Sequence, residues 1–429
     1  MLFLLMLLVG TTPADTVQLT LNKAIDYGLK HNPEIQQLQI DAKKIGLKVN
    51  DAIAAYYPSL SMGGYFAYLS DVPVLDFGGT PIPMGQHENY SVSISLNQVL
   101  FAWGKLYDAY KIAGIQSEIA ELKLKRKEQE IRYAITDVFY GLLVLEKMVH
   151  VSKKSLSELE KHKEAVVKRY RAGLVPQYEV LRSGSQTANM KQQLIKMENA
   201  QNLSKEGFKL LLGMDLDLEF TIKGALETRE ETYDIDELTN EAMNNRIELR
   251  NMKNFERIAE IARDIARKII LPAIVAGATY ERKKPFSFGG DDWGSNLTFN
   301  VGFQFNIFSG FKTRYQYEQA LLILREAELA NENLTKAIQV EVKQAFLNLG
   351  AAKEGITAAG ENVDLAEKAF SIIEKRYSNG LVSNLEYLDT QLSQIQAETG
   401  YLSALKNYYS ARAALYKAIG KTSYEGQDD

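Results

Sequence analysis

Four histidines, His31, His87, His150 and His162, are the side chains in this sequence best suited to hold a metal or shuttle a proton. None pairs with another at metal-ligand spacing, and no HExxH, nucleophile elbow or phosphate-binding glycine loop occurs. The chain has no cysteine, which excludes disulfides, thiolate metal sites and thiol nucleophiles. Carboxylates are plentiful on helical stretches, but without a pocket they read as solvated surface charge. The sequence therefore nominates no catalytic residue, no metal site and no cofactor, and it reads as a non-enzyme. The net charge is −4, and basic residues alternate with acidic ones instead of forming a stripe, so nucleic acid is not an expected partner.

The elements that position these side chains come in duplicate. Phe101 and Phe308, Tyr170 and Tyr377, Gly173 and Gly380, Leu174 and Leu381, and Gly213 and Gly420 are each 207 residues apart. A period this long points to duplication of a structural half, since solenoid repeats run to about 20–50 residues. The repeats are expected over 15–213 and 238–420, with a linker over 214–237 and an acidic tail over 421–429. Pro58 and Pro272 are 214 apart, which places the seven-residue length difference between Pro58 and Phe101. At the start, the apolar run from Leu2 to Val9 and the small residues Thr12 and Ala14 read as a signal peptide over 1–14, although the usual positive start is missing.

Each repeat opens with a helical pattern that ends at a proline, over Leu21 to Tyr57 and Asp236 to Leu271. The period then changes to two. Leu297, Phe299, Val301, Phe303, Phe305 and Ile307 share one face, and Thr298, Asn300, Gly302, Gln304 and Asn306 share the other. Val92, Ile94 and Leu96 alternate with Ser91, Ser93, Ser95 and Asn97 in the same way. Strands are expected at about 59–70, 88–101, 273–284 and 295–308, joined in pairs by the Gly/Pro-rich loops SDVPVLDFGGTPIPMGQH and KKPFSFGGDDWGSN. Strands of roughly ten residues, apolar on one side, match tilted transmembrane β-structure. Phe101 and Trp103, with Phe308 and Phe311, would then form an aromatic belt at the membrane interface.

The remaining segments, Lys105 to Arg171 and Lys312 to Ser378, contain no proline. As helices each would run roughly 100 Å at 1.5 Å per residue, a length typical of coiled coils. Each turns at a glycine, Gly173 or Gly380, into a return helix about half as long, so two shorter helices must stack end to end beside each long one.

The order of helix, proline, two strands, long helix, Tyr-x-x-Gly-Leu turn and return helix, present twice, resembles the outer-membrane efflux protein family. The resemblance runs from about Leu19 to Gly420, and its most specific parts are the turns RYRAGLVPQYEVL (Arg169 to Leu181) and RYSNGLVSNLEYL (Arg376 to Leu388). It implies a mainly α-helical chain with a transmembrane β-barrel part. Three copies would close a 12-stranded barrel, seated in outer-membrane lipid, over an α-helical tunnel that reaches into the periplasm. It also implies a passive exit duct, joined by a periplasmic adaptor to an inner-membrane transporter of RND, ABC or MFS type. Met214 to Ile235, with Asp215, Asp217 and the acidic run from Glu227 to Glu231, would lie in an equatorial region around the tunnel.

By the same resemblance, Ala172, Gly173, Leu174, Asn379, Gly380 and Leu381 match the adaptor-docking turns, with Ala172 and Asn379 replacing the family's valine. Tyr377, Glu386 and Asp389 match a periplasmic gate. Here the first repeat supplies Glu179 and then Arg182 where a second acid would stand, which suggests a latch from Arg182 to Glu386 or Asp389. Two other readings are a soluble coiled-coil scaffold with a small capping sheet and, within the exporters, a type I secretion duct that passes unfolded proteins.

Overall fold

The computed structural model of the chain describes residues 17–228, 232–287 and 290–421. The expected signal peptide, the acidic residues Glu230 and Glu231, and the tail beyond Lys421 lie outside the described residues. The first repeat runs β1 (Val17–Leu19), α1 (Leu21–His31), α2 (Pro33–Ala54), β2 (Ser59–Tyr68), β3 (Val74–Phe77), β4 (Thr80–Pro83), β5 (Glu88–Phe101), α3 (Lys105–Arg171) and α4 (Gln177–Leu212). After β6 (Phe220–Ile222) the second runs α5 (Ile235–Asn245), α6 (Ile247–Lys268), β7 (Ala273–Lys284), β8 (Gly294–Gln304), α7 (Lys312–Ser378) and α8 (Asn384–Ala418). The contacts divide the described residues into two units, one within 17–39, 123–249 and 333–421, the other within 40–122 and 250–332.

In the first unit the largest core gathers Ile135, Phe139 and Leu142 of α3, Phe208 and Leu212 of α4, Ile338 and Leu349 of α7, and Tyr408 and Leu415 of α8. Beside it, β1 pairs in parallel with β6, Val17 opposite Phe220 and Leu19 opposite Ile222. Two expected helices are each broken in two, at Asn32 and at Arg246. At the first break, Asn32 caps α2, its Oδ1 accepting from the backbone N–H of Glu34 (2.9 Å) and Ile35 (3.2 Å). Pro33 follows at the first helical position, where it needs no hydrogen-bond partner.

At the second break no proline intervenes, and tertiary contacts decide. The buried Arg246 donates from Nη1 to the carbonyl of Ala418 (3.1 Å), from Nη2 to Glu341 (2.9 Å) and from Nε to Glu248 (3.0 Å). Its counterpart Asn32 donates from Nδ2 to the carbonyl of Leu211 at 2.8 Å. Each break thus supplies a donor to the last carbonyls of a return helix, which lack partners within the helix.

The return helices end on left-handed glycines, Gly213 (φ 71°) and Gly420 (φ 75°). In both, two backbone bonds close the turn in a Schellman arrangement, from Gly213 N to Leu210 O and Met214 N to Lys209 O, and from Gly420 N to Lys417 O and Lys421 N to Tyr416 O. Gly213 also lies against the first break, where a Cβ would stand 2.3 Å from the carbonyl oxygen of His31.

In the second unit β2, β5, β7 and β8 form one antiparallel sheet in the order β2-β5-β7-β8. Its register sets Ile94 opposite Tyr280 and Tyr280 opposite Leu297, so the apolar alternation of the strands is continuous across the sheet. The strand expected to reach residue 308 ends at Gln304, because its partner β7 begins at Ala273, just after Pro272, which has no N–H to offer. The first expected strand likewise stops at Tyr68, and its loop contains a further hairpin, β3 with β4, turned at Gly78 and Gly79 with positive φ.

Two consecutive left-handed residues lead from sheet to helix in each repeat, Trp103-Gly104 and Gly310-Phe311. The aromatic and the glycine have exchanged places between the copies. Trp103 is held there by a 2.7 Å hydrogen bond from its Nε1 to the carbonyl of Pro272 and by an edge-on contact with Phe101, and Phe311 by the same kind of contact with Phe308.

Two glycines with the same left-handed backbone separate conformational strain from crowding. Gly380 (φ 72°) has open space where a Cβ would go, and Gly213 does not. Gly380→Ala is expected to cost about 1 kcal/mol. Gly213→Ala, which adds a backbone clash, is expected to cost about 3 kcal/mol. Thermal loss of helical circular dichroism in detergent measures the contrast, and equal midpoints for the two variants would refute it.

Candidate functional site

The turns from α3 to α4 and from α7 to α8 are built alike. Leu174 N donates to Arg169 O and Gly173 N to Tyr170 O, while Leu381 N donates to Arg376 O and Gly380 N to Tyr377 O, all at 2.9–3.0 Å. These are again Schellman arrangements, with Gly173 and Gly380 left-handed at φ 73° and 72°. Such a turn usually folds the residue after the glycine back onto the helix. Here the residue it would meet is Arg169 or Arg376, and Leu174 and Leu381 stay 74% and 65% exposed. Ala172 and Asn379 are exposed beside them. Both turns therefore present an apolar knob on a rigid backbone.

Behind the turns lies a smaller core of Leu159, Met190, Tyr377, Tyr387, Leu388 and Ile395. The structure places Tyr377 inside it. Its ring lies beneath the Arg169 guanidinium, 4.7 Å from the ring centroid, and its hydroxyl reaches no hydrogen-bond partner among the described residues. Burial raises the Tyr377 pKa, opposed by the Arg169 charge. Burial also pushes Tyr387 up to about 12, helped by the charges of Glu374 and Glu158.

Arg182 lies against Asp389 and not against Glu386. Its Nη2 donates to Asp389 Oδ1 at 3.3 Å and its Nη1 to the Tyr178 hydroxyl at 3.0 Å. Arg182 and Asp389 are 207 residues apart and so occupy the same position in the two repeats. The pair is open to solvent and therefore salt-sensitive.

Glu386 is occupied elsewhere. Its carboxylate accepts from the backbone N–H (2.7 Å) and the hydroxyl (2.9 Å) of Ser383, whose Oγ accepts in turn from Glu386 N at 3.2 Å. This capping box starts α8, and the bonds from Ser383 hold the Glu386 pKa below the ordinary carboxylate range. Glu179 is half-buried in the first turn of α4, and its backbone carbonyl, not its carboxylate, faces Asn384, at 3.5 Å. The four aromatic positions Phe101, Trp103, Phe308 and Phe311 are exposed at the sheet-to-helix junctions.

The sequence offered no sign of a buried polar cluster next to Tyr377. His162 Nε2 and Asn384 Oδ1 are 2.6 Å apart, Asn384 Nδ2 donates to Ser183 Oγ at 3.2 Å, and the imidazole stacks on Tyr387 with ring centroids 4.1 Å apart. Three helices meet there through residues up to 222 positions apart, a distance no local pattern spans. Burial lowers the His162 pKa, Asn384 opposes this, and Arg169 adds to it. Among the described residues no group of three His, Asp or Glu side chains could hold a metal, and no helix is long and apolar enough to cross a membrane.

Residues 24–214 and 238–421 match the sequence profile described as outer membrane efflux protein. The chain is 21% identical to the outer membrane protein TolC of Escherichia coli K12 over 411 residues, covering 91% of this chain and 80% of that one. It is also 21% identical, over 348 residues, to the pyoverdine export outer membrane protein OpmQ of Pseudomonas aeruginosa PAO1, covering 78% and 70%. Its fold superposes on the CmeC outer membrane channel of Campylobacter jejuni with a TM-score of 0.81 at 14% identity, over 95% of this chain and 87% of that one.

The His162 cluster has a defined pH dependence. A histidine whose folded pKa is lowered keeps its neutral form when folded, and the unfolded chain takes up the proton first as pH falls. Stability is therefore full above the unfolded value of about 6.5 and is lost as pH drops through it. Hydrogen exchange corrected for intrinsic rates, read at amides near 162 and 384–388, should lose protection between pH 7.5 and 5.5 by up to about tenfold per pH unit. His162→Gln should flatten that dependence; a slope unchanged by the substitution would clear His162 of the effect.

Proposed function

The chain belongs to the outer membrane efflux protein family, and from that premise we propose that three copies close a 12-stranded barrel whose bore continues into a helical tunnel with its gate at the two Gly-Leu turns. It is an outer-membrane exit duct of an efflux or secretion system. The observation that carries the trimer is the sheet itself. Among the described residues its four strands leave β2 and β8 without outer partners and its apolar face bare, with Phe299, Val301 and Phe303 about three-quarters exposed. Open edges and a bare apolar face are not tolerated together in water or in lipid. Closure by copies satisfies the edges, and outer-membrane lipid covers the apolar face. The opposite face, with Ser91 bonded to Glu281 and Ser95 near Thr279, then lines a wet lumen. Phe101, Trp103, Phe308 and Phe311 take the periplasmic membrane interface.

A duct with no energy source of its own requires a periplasmic adaptor and an inner-membrane transporter, for which the RND, ABC and MFS types are the candidates. Leu174 and Leu381 are the knobs such an adaptor grips, with Ala172, Gly173, Asn379 and Gly380 fixing their placement. Repeats over 15–213 and 238–420, with 214–237 between them at the equator, give each protomer two similar but unequal docking turns. At the gate, the Arg182–Asp389 pair, formed by equivalent positions of the two repeats, is the latch. Glu386 shapes it indirectly by capping α8, and Tyr377 supports it from below.

Membrane fractionation should recover the chain in the outer membrane as a detergent-resistant trimer, with discrete conductance in planar bilayers. A soluble monomer without conductance would support the coiled-coil scaffold instead. In the same recordings, Arg182→Ser together with Tyr377→Phe should raise single-channel conductance, and Tyr377→Phe alone should change little because the hydroxyl it removes is unpartnered. Unchanged conductance in the double variant would reject the latch. Leu174→Asp with Leu381→Asp should leave conductance intact yet abolish adaptor-dependent export in cells; preserved export would place docking elsewhere.

A further inference from the structure

Near the loop end of the sheet, its apolar face carries a groove of 310 Å³ lined by Val92, Ile94, Tyr280, Arg282 and Trp293. Val92 stands opposite Arg282 and Ile94 opposite Tyr280 on β5 and β7, the two central strands. The groove therefore lies away from the edges at which copies would join. Apart from the guanidinium, its walls are apolar or aromatic, and Arg282 lies over the Trp293 ring, 5.8 Å from its centroid.

The neighbouring cations are spoken for. Lys284 pairs with Asp291 at 2.9 Å and Lys283 with Glu281 at 3.7 Å, whereas Arg282 makes no ion pair among the described residues. Tyr90, two residues from Val92, meets Trp293 at 5.9 Å and Phe66 at 4.9 Å, so aromatic rings gather on this rim as they do at the other end of the sheet.

Depth follows from strand length. Val92 pairs with Arg282 and Phe101 with Ile274, eight residues apart on β7 because β5 has a bulge between Val99 and Phe101. At about 3.4 Å per residue and a tilt of about 40° they span roughly 21 Å, close to the apolar band of about 25 Å in outer-membrane barrels. If Phe101 marks one boundary, Arg282 stands at the other, level with lipid headgroups. An unpaired guanidinium at that depth, above a groove without carboxylates, complements an anion attached to an acyl chain.

We propose that this groove binds a phosphorylated lipid of the outer leaflet, its phosphate on Arg282 and one acyl chain along Val92, Ile94 and Tyr280 under the Trp293 ring. The proposal rests on the reading that the apolar face of the sheet turns to lipid. A phosphate monoester or diester accepts two parallel hydrogen bonds from the guanidinium, which a zwitterionic headgroup offers less freely. Trp293 and the chain beneath it would fix the lipid at a constant place on each protomer.

The sequence contains only two tryptophans, Trp103 and Trp293, so Trp103→Phe leaves Trp293 as the sole reporter. The full chain is reconstituted in phosphatidylcholine with graded fractions of dibrominated phosphatidic acid or dibrominated phosphatidylcholine, and quenching of Trp293 is read. Both brominated lipids should quench, and phosphatidic acid should be preferred about tenfold, a preference lost in Arg282→Gln. Equal quenching by the two lipids with Arg282 intact would overturn the site while leaving the membrane reading standing. No quenching by either would overturn the membrane reading and the site with it. A preference abolished by millimolar inorganic phosphate would assign Arg282 to a soluble anion and overturn the lipid. Native mass spectrometry of the chain with both tryptophans, comparing retained phosphatidic acid with and without Arg282→Gln, tests the same claim without the Trp103 substitution; equal retention would refute it.

Discussion

The contact on which the larger unit depends is the one between the end of each return helix and the break in the short helices beside it. Gly213 lies against His31 and Asn32 and Gly420 against Asn245, and each break donates a hydrogen bond into the last carbonyls of the return helix. A long helix can be flanked by two shorter ones only if the ends of those shorter helices are satisfied where they meet. Each end otherwise leaves bare carbonyls or N–H groups, and burying them unpaired costs about 1–3 kcal/mol apiece. The two repeats solve the problem with different chemistry, a neutral amide at Asn32 and a guanidinium at Arg246 that also gathers Glu341 and Glu248. Burial alone would lower the Arg246 pKa, but those two carboxylates outweigh it and keep the charge in place at the negative end of α8.

The sheet unit obeys a different constraint, incompleteness. Its apolar face runs across all four strands, interrupted near the loop end by Arg282 and Ser295, and most of it is uncovered in a single chain. A soluble sheet of this kind requires a covering layer. Among the described residues this one has alternation without a cover and edge strands without outer partners, and on the proposed reading it is one segment of a larger closed barrel.

Much of this was legible in the sequence because it rests on local rules. The two 67-residue helices follow from proline-free runs and end where Gly173 and Gly380 supply positive φ. The strands follow from period-two alternation, as in Asn296 to Gln304. The break at Asn32 was signalled by Asn before Pro, an N-cap followed by the proline of a first turn, but the apolar periodicity running through it suggested one helix. The break at Arg246 has no local sign, since it is imposed by carbonyls of α8 more than 170 residues away. At the turn into α8, Ser383-x-x-Glu386 was a readable capping box that commits Glu386 to its own helix. The His162 cluster was not readable, because Ser183 and Asn384 become its neighbours only when the helices pack.

Duplication explains why the equivalent positions Arg182 and Asp389 carry opposite charges. Arg182 and Asp389 occupy equivalent positions and meet each other, so in a strictly repeated sequence the two side chains in contact would be identical. Two arginines would repel, and so would two aspartates. Divergence of a single position to Arg182 in one copy and Asp389 in the other turns that unavoidable contact into an attraction at 3.3 Å. Because both groups remain open to water, the attraction is weak and yields to salt or to a competing partner. On the proposed reading of this pair as a latch, a closure that must open without an energy source of its own needs a weak contact of this kind, and a buried pair at the same place would hold too firmly. On that reading, the asymmetry between Arg182 and Asp389 is what lets a duplicated helical tip close and still be released.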